Sequence, residues 1–207
     1  MEKKYFNRVL WLAVFTIVYN LAEGLVSVWV GISDETLALM GFGFDSFVEV
    51  VSGIGILIMV IRIRTNPHSL RNRFEILALR ITGTGFYLLT AGLLTGAIIN
   101  SINQHRPETT VWGIIISLIS VIVMFWLYRS KIRYGKLLNA PAVIADGKCT
   151  LVCIYMSVIL LISSGVYELT GFGWMDAIGA LGLAWFSFSE GREAFEKARG
   201  KECECEE

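Results

Sequence analysis

The stretch GFGFDSFVEVVSG, residues 41–53, lies inside an apolar run over residues 36–61. About 20 mostly apolar residues suffice to cross the hydrocarbon core of a bilayer, so the run reads as a membrane-spanning helix. Inside it stand two acids, Asp45 and Glu49, four residues apart and therefore on one helical face. An ionisable side chain near mid-membrane costs about 2.5–3.5 kcal/mol on insertion scales, and two neighbouring like charges repel as well. A helix that faces only lipid has no use for such a pair. Something must offset it: protonation, a basic partner such as Arg80, or a cation. One arginine cannot neutralise two acids, which disfavours the second answer.

The rest of the chain has the same character. Its 207 residues are 55% hydrophobic, and the mean hydropathy is +0.61. A soluble domain rarely reaches that value. Six apolar runs are expected to span, over residues 5–30, 36–61, 75–100, 111–128, 142–167 and 175–190. The first is too long for a signal-peptide core and has no small-residue cleavage site, so it reads as a retained span. The connections are short: GISDET, RIRTNPHSLRNR, SINQHRPETT, RSKIRYGKLLNAP and ELTGFGW. Helix-start chemistry precedes span two at Ser33 and Asp34 and span five at Pro141.

Basic residues set the expected orientation, because cytoplasmic flanks are enriched in Lys and Arg. Lys3, Lys4 and Arg8 precede span one. Arg62, Arg64, Arg71 and Arg73 flank the second-to-third connection. Arg129, Lys131, Arg133 and Lys136 lie in the fourth-to-fifth connection, and Arg192, Lys197, Arg199 and Lys201 follow span six. The opposite side has Arg106 alone. Both termini are therefore expected in the cytoplasm, which requires an even number of spans. The reading is an all-α integral membrane protein of six helices in two three-helix halves. Residues 1–190 form the transmembrane domain, and residues 191–207 a short charged tail ending in KECECEE. The zero formal net charge gives no reason to expect a nucleic-acid partner. Cys149, Cys153, Cys203 and Cys205 all fall away from the outer segments, so no disulfide framework is expected.

Span five carries a second pair at the spacing of the first. In ADGKCTLVC, residues 145–153, Cys149 and Cys153 are four apart, and Asp146 lies about one turn earlier. If the two faces meet, two carboxylates and two sulfurs converge, and four ligands from two helices can form a tetrahedral site. The pairs occupy the second span of each half, and transporters built from inverted repeats place their substrate at such an interface. Alone, the cysteines would read as small packing residues. The acids on span two shift the balance toward ligands. Cysteines four apart on a straight helix are poorly placed for a disulfide, and no quinone or haem motif is present, so a membrane thiol enzyme is disfavoured.

The order of these segments resembles the cation diffusion facilitator, or cation efflux, family. NLAEGLVSVWVG followed by DETLALMGFGFDSFVEVVSG is similar to the family's first hairpin, and RFEIL (residues 73–77) to the start of its third span. ADGKCTLVC lines up with a fifth-span pattern of Ala-Asp, His and Asp. GFGWMDAIGALGLAW, with Asp176, is similar to the start of its sixth span. The resemblance covers residues 1–196 and departs at two places. Cys149 and Cys153 stand where the family has His or Asp and then Asp, and the family's C-terminal cytoplasmic domain has no counterpart. A transmembrane-only branch is therefore expected.

The resemblance implies a multi-pass protein, expected in the cell (inner) membrane, that exports a divalent metal in exchange for protons. It also implies a homodimer among membrane lipid. The chain is expected to be a transporter and not an enzyme. Asp45, Glu49, Cys149 and Cys153 are its expected metal ligands. Two oxygens and two sulfurs in a tetrahedron suit Zn²⁺ best, with Cd²⁺ a natural competitor, whereas Mg²⁺ and Ca²⁺ require larger oxygen shells. Four ionised ligands would overcompensate a divalent cation, so some keep protons and metal binding releases others. The alternative is a membrane protein that binds or senses metal without moving it.

Accessory positions are Asp146, Asn20, Glu23, Cys203 and Cys205. Asn20 either faces the pathway or bonds a neighbouring helix. Glu23 either guides cations or pairs. Cys203 and Cys205 either capture cytosolic metal or belong to a solvated tail. Lys148 is expected to turn toward the cytoplasm or Asp146. Asp176 serves a helix start or ion passage. Gly83, Gly85, Gly92 and Gly96 form a smooth face on span three, for a dimer or for packing within the chain. Gly41, Gly43 and Gly53 are expected to let the two ligand helices approach.

Overall fold

A computed structural model of the chain describes residues 2–65, 73–103, 107–138 and 141–200. His68, His105, Arg106, Cys203 and Cys205 lie outside the described residues. Six helices follow in order: α1 (Glu2–Ser33), α2 (Leu37–Thr65), α3 (Arg73–Asn103), α4 (Val111–Leu137), α5 (Pro141–Thr170) and α6 (Met175–Ala198). α1 to α5 are long and apolar enough to cross a membrane. α6 has an apolar first half, but its second half, SFSEGREAFEKA, carries charges that lower its hydropathy.

The polarity of the bundle is that of a protein dissolved in lipid. Trp29, Leu88, Ile102, Ile122, Leu169 and Trp185 are exposed, each at more than 60% of its surface. The interior holds Asn20, Glu23, Ser27, Asp45, Ser46, Ser117, Ser120 and Ser157. Lipid tails are as apolar as leucine, so apolar burial does little to hold membrane helices together. Close packing and interhelical hydrogen bonds do that work. Leu39, Met124, Leu127, Met156, Leu160 and Leu183 supply the fully buried apolar packing.

Three close pairs dominate: α1 with α2, α4 with α5, and α3 with α6. The first two are hairpins. The third joins the two sequence halves, which therefore interlock. α2 is central and also touches α3, α5 and α6. The glycines of the opening stretch serve α1 and α3, correcting the expectation that they face the second ligand helix. A Cβ at Gly43 would lie 2.7 Å from the Val28 backbone nitrogen on α1. Gly53 packs on Ile17 of α1, and Gly41 on Leu93 of α3. On α3, Gly83 packs against Phe195 and Gly191 of α6, Gly85 against Val48, and Gly96 against Leu37. Only Gly92 of that face meets open space, so most of it is used within the chain.

Two acids from the second half of the sequence hold helix starts in place. Leu37 and Ala38 at the start of α2 donate their backbone N–H groups to Asp176 of α6, at 2.9 and 3.0 Å. Thr110, just before α4, donates its N–H and its hydroxyl to Glu168 of α5, both at 3.1 Å. The first-turn amides of a helix lack partners inside the helix, and a carboxylate there meets both the bonding need and the helix dipole. The expected capping by Asp34 is thus carried by Asp176 across the bundle. Pro141 does open α5, as its fixed φ favours.

Helix α4 runs to Leu137, past the expected end at residue 128. Ser120, Met124, Leu127, Lys131 and Gly135 form one buried stripe along it. Lys131 is therefore a helical, 2%-exposed residue and not part of a cytoplasmic loop.

Candidate metal centre

Glu49 lies where α1, α2 and α5 meet. Asn20 on α1 donates its amide to Glu49 Oε2 at 2.7 Å, and Cys153 on α5 donates its thiol to Glu49 Oε1. Both donors are nearly or fully buried. The expected meeting of the acid face of α2 with the thiol face of α5 is therefore formed at one acid and one thiol. The Cys153 thiol also lies 3.3 Å from the Cys149 carbonyl, one turn back on its own helix.

Asp45 sits one turn from Glu49 and is 2% exposed, yet its Oδ1 has no hydrogen-bond partner among the described residues. Among the described residues, the charges that bear on it electrostatically are Glu49, Glu190 and Glu23, all acidic. Asn20 shows a similar asymmetry. Its amide nitrogen is engaged by Glu49, while its buried Oδ1 has no hydrogen-bond partner among the described residues. An unsatisfied buried acceptor is costly, and a cation or a donor proton is what such oxygens lack. Arg80 is exposed and is not among the charges facing Asp45 or Glu49, so the ionic-lock reading finds no support here.

Cys149 is partly buried and engages α6, where the Lys197 ammonium lies 3.5 Å from its sulfur. Among the described residues, no three His, Cys, Asp or Glu side chains stand close enough together to hold a metal ion. The structure thus joins Glu49 and Cys153, with Asp45 and Cys149 each one turn away.

The accessory positions divide. Glu23 accepts a hydrogen bond from Tyr19 at 2.8 Å and another from Ser46 at 3.1 Å, so both of its oxygens are engaged. Ser120, which accepts a hydrogen bond from Ser157 at 2.9 Å, faces Glu23 and Tyr19 from α4. Asp146 accepts an ion pair from Lys131 at 3.0 Å, and the same ammonium donates to Thr150 at 3.0 Å. Lys148 is exposed and turns outward. Asp176 serves the start of α2, as described above.

Four residues around this centre were not singled out as part of it from the sequence. Lys131 was readable from the stripe at 120, 124, 127 and 131, which continues a buried face into a charged segment. Glu190 on α6 bears electrostatically on both acids and both cysteines. Glu190, Glu193 and Lys197 fall on one helical face, a spacing that could have drawn attention to them.

A multi-helix membrane protein with a polar interior, an orphaned buried carboxylate and an acid–thiol contact between its central helices has the make-up of a cation-handling transporter. The profile described as the cation efflux transmembrane domain matches residues 12–199, and the chain belongs to the cation efflux family. A curated relative is Transmembrane protein 163 of Xenopus laevis, 26% identical over 166 residues. That alignment covers 80% of this chain and 58% of the relative, so the chain spans little more than half of that protein's length.

Proposed function

We propose that this chain exports a zinc-like, thiophilic divalent cation from the cytoplasm in exchange for protons, through a site made by Asp45, Glu49, Cys149 and Cys153. The observation that carries the proposal is the contact of Glu49 with Cys153 across α2 and α5. Carboxylate plus thiol is a borderline-soft donor set, suited to Zn²⁺ and Cd²⁺ and poorly suited to Mg²⁺ or Ca²⁺.

The chemistry of exchange follows from these atoms. The Cys153 thiol donates to Glu49 Oε1, and a cation bridging the two atoms would have to displace that proton. Asn20 fixes the second Glu49 oxygen and so orients the carboxylate. Asp45 brings an unsatisfied oxygen one turn away, and Cys149 a second sulfur one turn along α5. A shift of α5 along α2 by about one helical turn, roughly 6 Å, would set the two pairs level. The Lys and Arg distribution supports a cytoplasmic placement of both termini, and loading from that side is part of the proposal. A homodimer in the cell membrane completes the proposal.

The test is transport by the purified chain in liposomes under an imposed proton gradient, with Zn²⁺, Cd²⁺, Co²⁺, Mg²⁺ and Ca²⁺ offered in turn. Zinc and cadmium uptake coupled to proton release is expected. In the double variant Cys149→Ala/Cys153→Ala, unchanged proton release on metal addition would show the site assignment to be wrong. Co²⁺ binding should give a sulfur-to-metal charge-transfer band that the same variant abolishes.

A further inference from the structure

Lys197 lies near the end of α6, where its ammonium is 2.6 Å from Glu193 Oε1 and 3.5 Å from Cys149 Sγ. Its side chain is 23% exposed, so it reaches from the edge of the bundle inward to the thiol. A Glu–Lys pair at i, i+4 on a helix is ordinarily a weak surface feature. This one differs because the ammonium is turned onto a sulfur of another helix. Among the described residues, the other charges that bear on Cys149 are Glu190, Asp146 and Glu193, all acidic. Asp146 is already held by Lys131, at 3.0 Å. Lys197 is therefore the cation that this acidic surround presents to the thiol.

A metal ion bound to a thiolate sits about 2.3 Å from sulfur. An ammonium 3.5 Å from the same sulfur occupies the approach such an ion needs, and two cations so close repel. We propose that Lys197 is a tethered internal cation guarding Cys149, and that a metal ion reaches this thiol only by displacing it. Glu193 and Glu190 then hold the displaced ammonium on α6. The guard sets the affinity of loading and screens the thiol from other small cations. Its metal-loading half rests on the reading of Cys149 as a ligand; its guarding half does not.

The experiment uses the full chain in liposomes and two thiol reagents of similar size, a cationic and an anionic alkyl methanethiosulfonate. Modification of Cys149 is followed by peptide mass spectrometry. The ratio of the cationic to the anionic rate is independent of how much of the thiol is ionised, so it reports the charge at the thiol alone. Lys197→Gln should raise that ratio at least fivefold, while Lys197→Arg should keep it near the wild-type value. An unchanged ratio in Lys197→Gln would overturn the guard. Zinc should slow labelling of Cys149 at a several-fold lower concentration in Lys197→Gln than in the wild type. If zinc slows labelling in neither protein, Cys149 is not a ligand and the loading half falls, whatever the ratio shows.

Discussion

Glu49 takes hydrogen bonds from two other helices, Asn20 of α1 and Cys153 of α5, and its orientation is therefore over-determined. Groups that orient a ligand typically matter about 10–100-fold in metal affinity when removed. Asn20→Ala should accordingly weaken zinc binding about 10–100-fold while the protein still inserts and folds, as judged by isothermal titration and gel filtration in detergent. Wild-type affinity in that variant would make the Asn20 contact incidental. Lys131 poses a different problem, since it is a buried ammonium paired with Asp146 at 3.0 Å. Removing one member of a buried pair costs about 3–5 kcal/mol, because the other charge is left behind. Lys131→Met should markedly lower the temperature of thermal unfolding, and Lys131→Met/Asp146→Leu should recover most of the loss. The two acids and two cysteines were legible in the sequence because i, i+4 spacing needs only one helix to be correct. The partners of Asp146 and Cys149 were not legible. They arrive from α4 and α6, and no local pattern says which neighbouring helix a side chain will meet.

Helix existence and order were legible from the apolar runs, since each run had to satisfy its backbone within itself in lipid. The ends were less so. α4 continues to Leu137 through RSKIRYGKL, where composition suggests a loop, because Lys131 finds Asp146 and Gly135 lets α5 approach. The start of α2 is the clearest case of a local signal overridden by tertiary structure. Asp34 lies next to it in sequence, yet Asp176 of α6 receives the Leu37 and Ala38 amides. An ion-passage role for Asp176 competes with this occupation, as both its oxygens are engaged. Loss of a helix-capping side chain costs about 0.5–2 kcal/mol. Asp176→Ala should fall in that range by thermal unfolding in detergent, with Asp176→Asn intermediate. If Asp176→Ala removes metal transport without lowering thermal stability, the acid acts on the ion and not on the helix.

At the scale of the whole molecule, the interlocked halves limit where movement can occur. The α1–α2 and α4–α5 hairpins are tight, and α3 is bound to α6, so movement is left to the looser seams between these pairs, among them the one between α2 and α5. That seam holds Glu49 and Cys153, and the orphaned Asp45 oxygen lies one turn along it. On the proposed reading, protons and metal ions compete there for the same oxygen and sulfur atoms, so acidification on the loading side is expected to weaken metal loading. If each ion displaces one proton, the apparent KM for zinc should rise about tenfold per unit fall in pH over the range where the ligands hold protons. Displacement of two protons makes the change about a hundredfold. Uptake into inverted vesicles at a series of external pH values, with the internal pH clamped, measures this slope and so counts the exchanged protons. Cys149→Ser/Cys153→Ser should flatten it, because hydroxyls do not give up protons in this range. A slope near zero in the wild type would mean that the ion crosses without displacing protons, and proton exchange would have to be abandoned even if zinc transport stood.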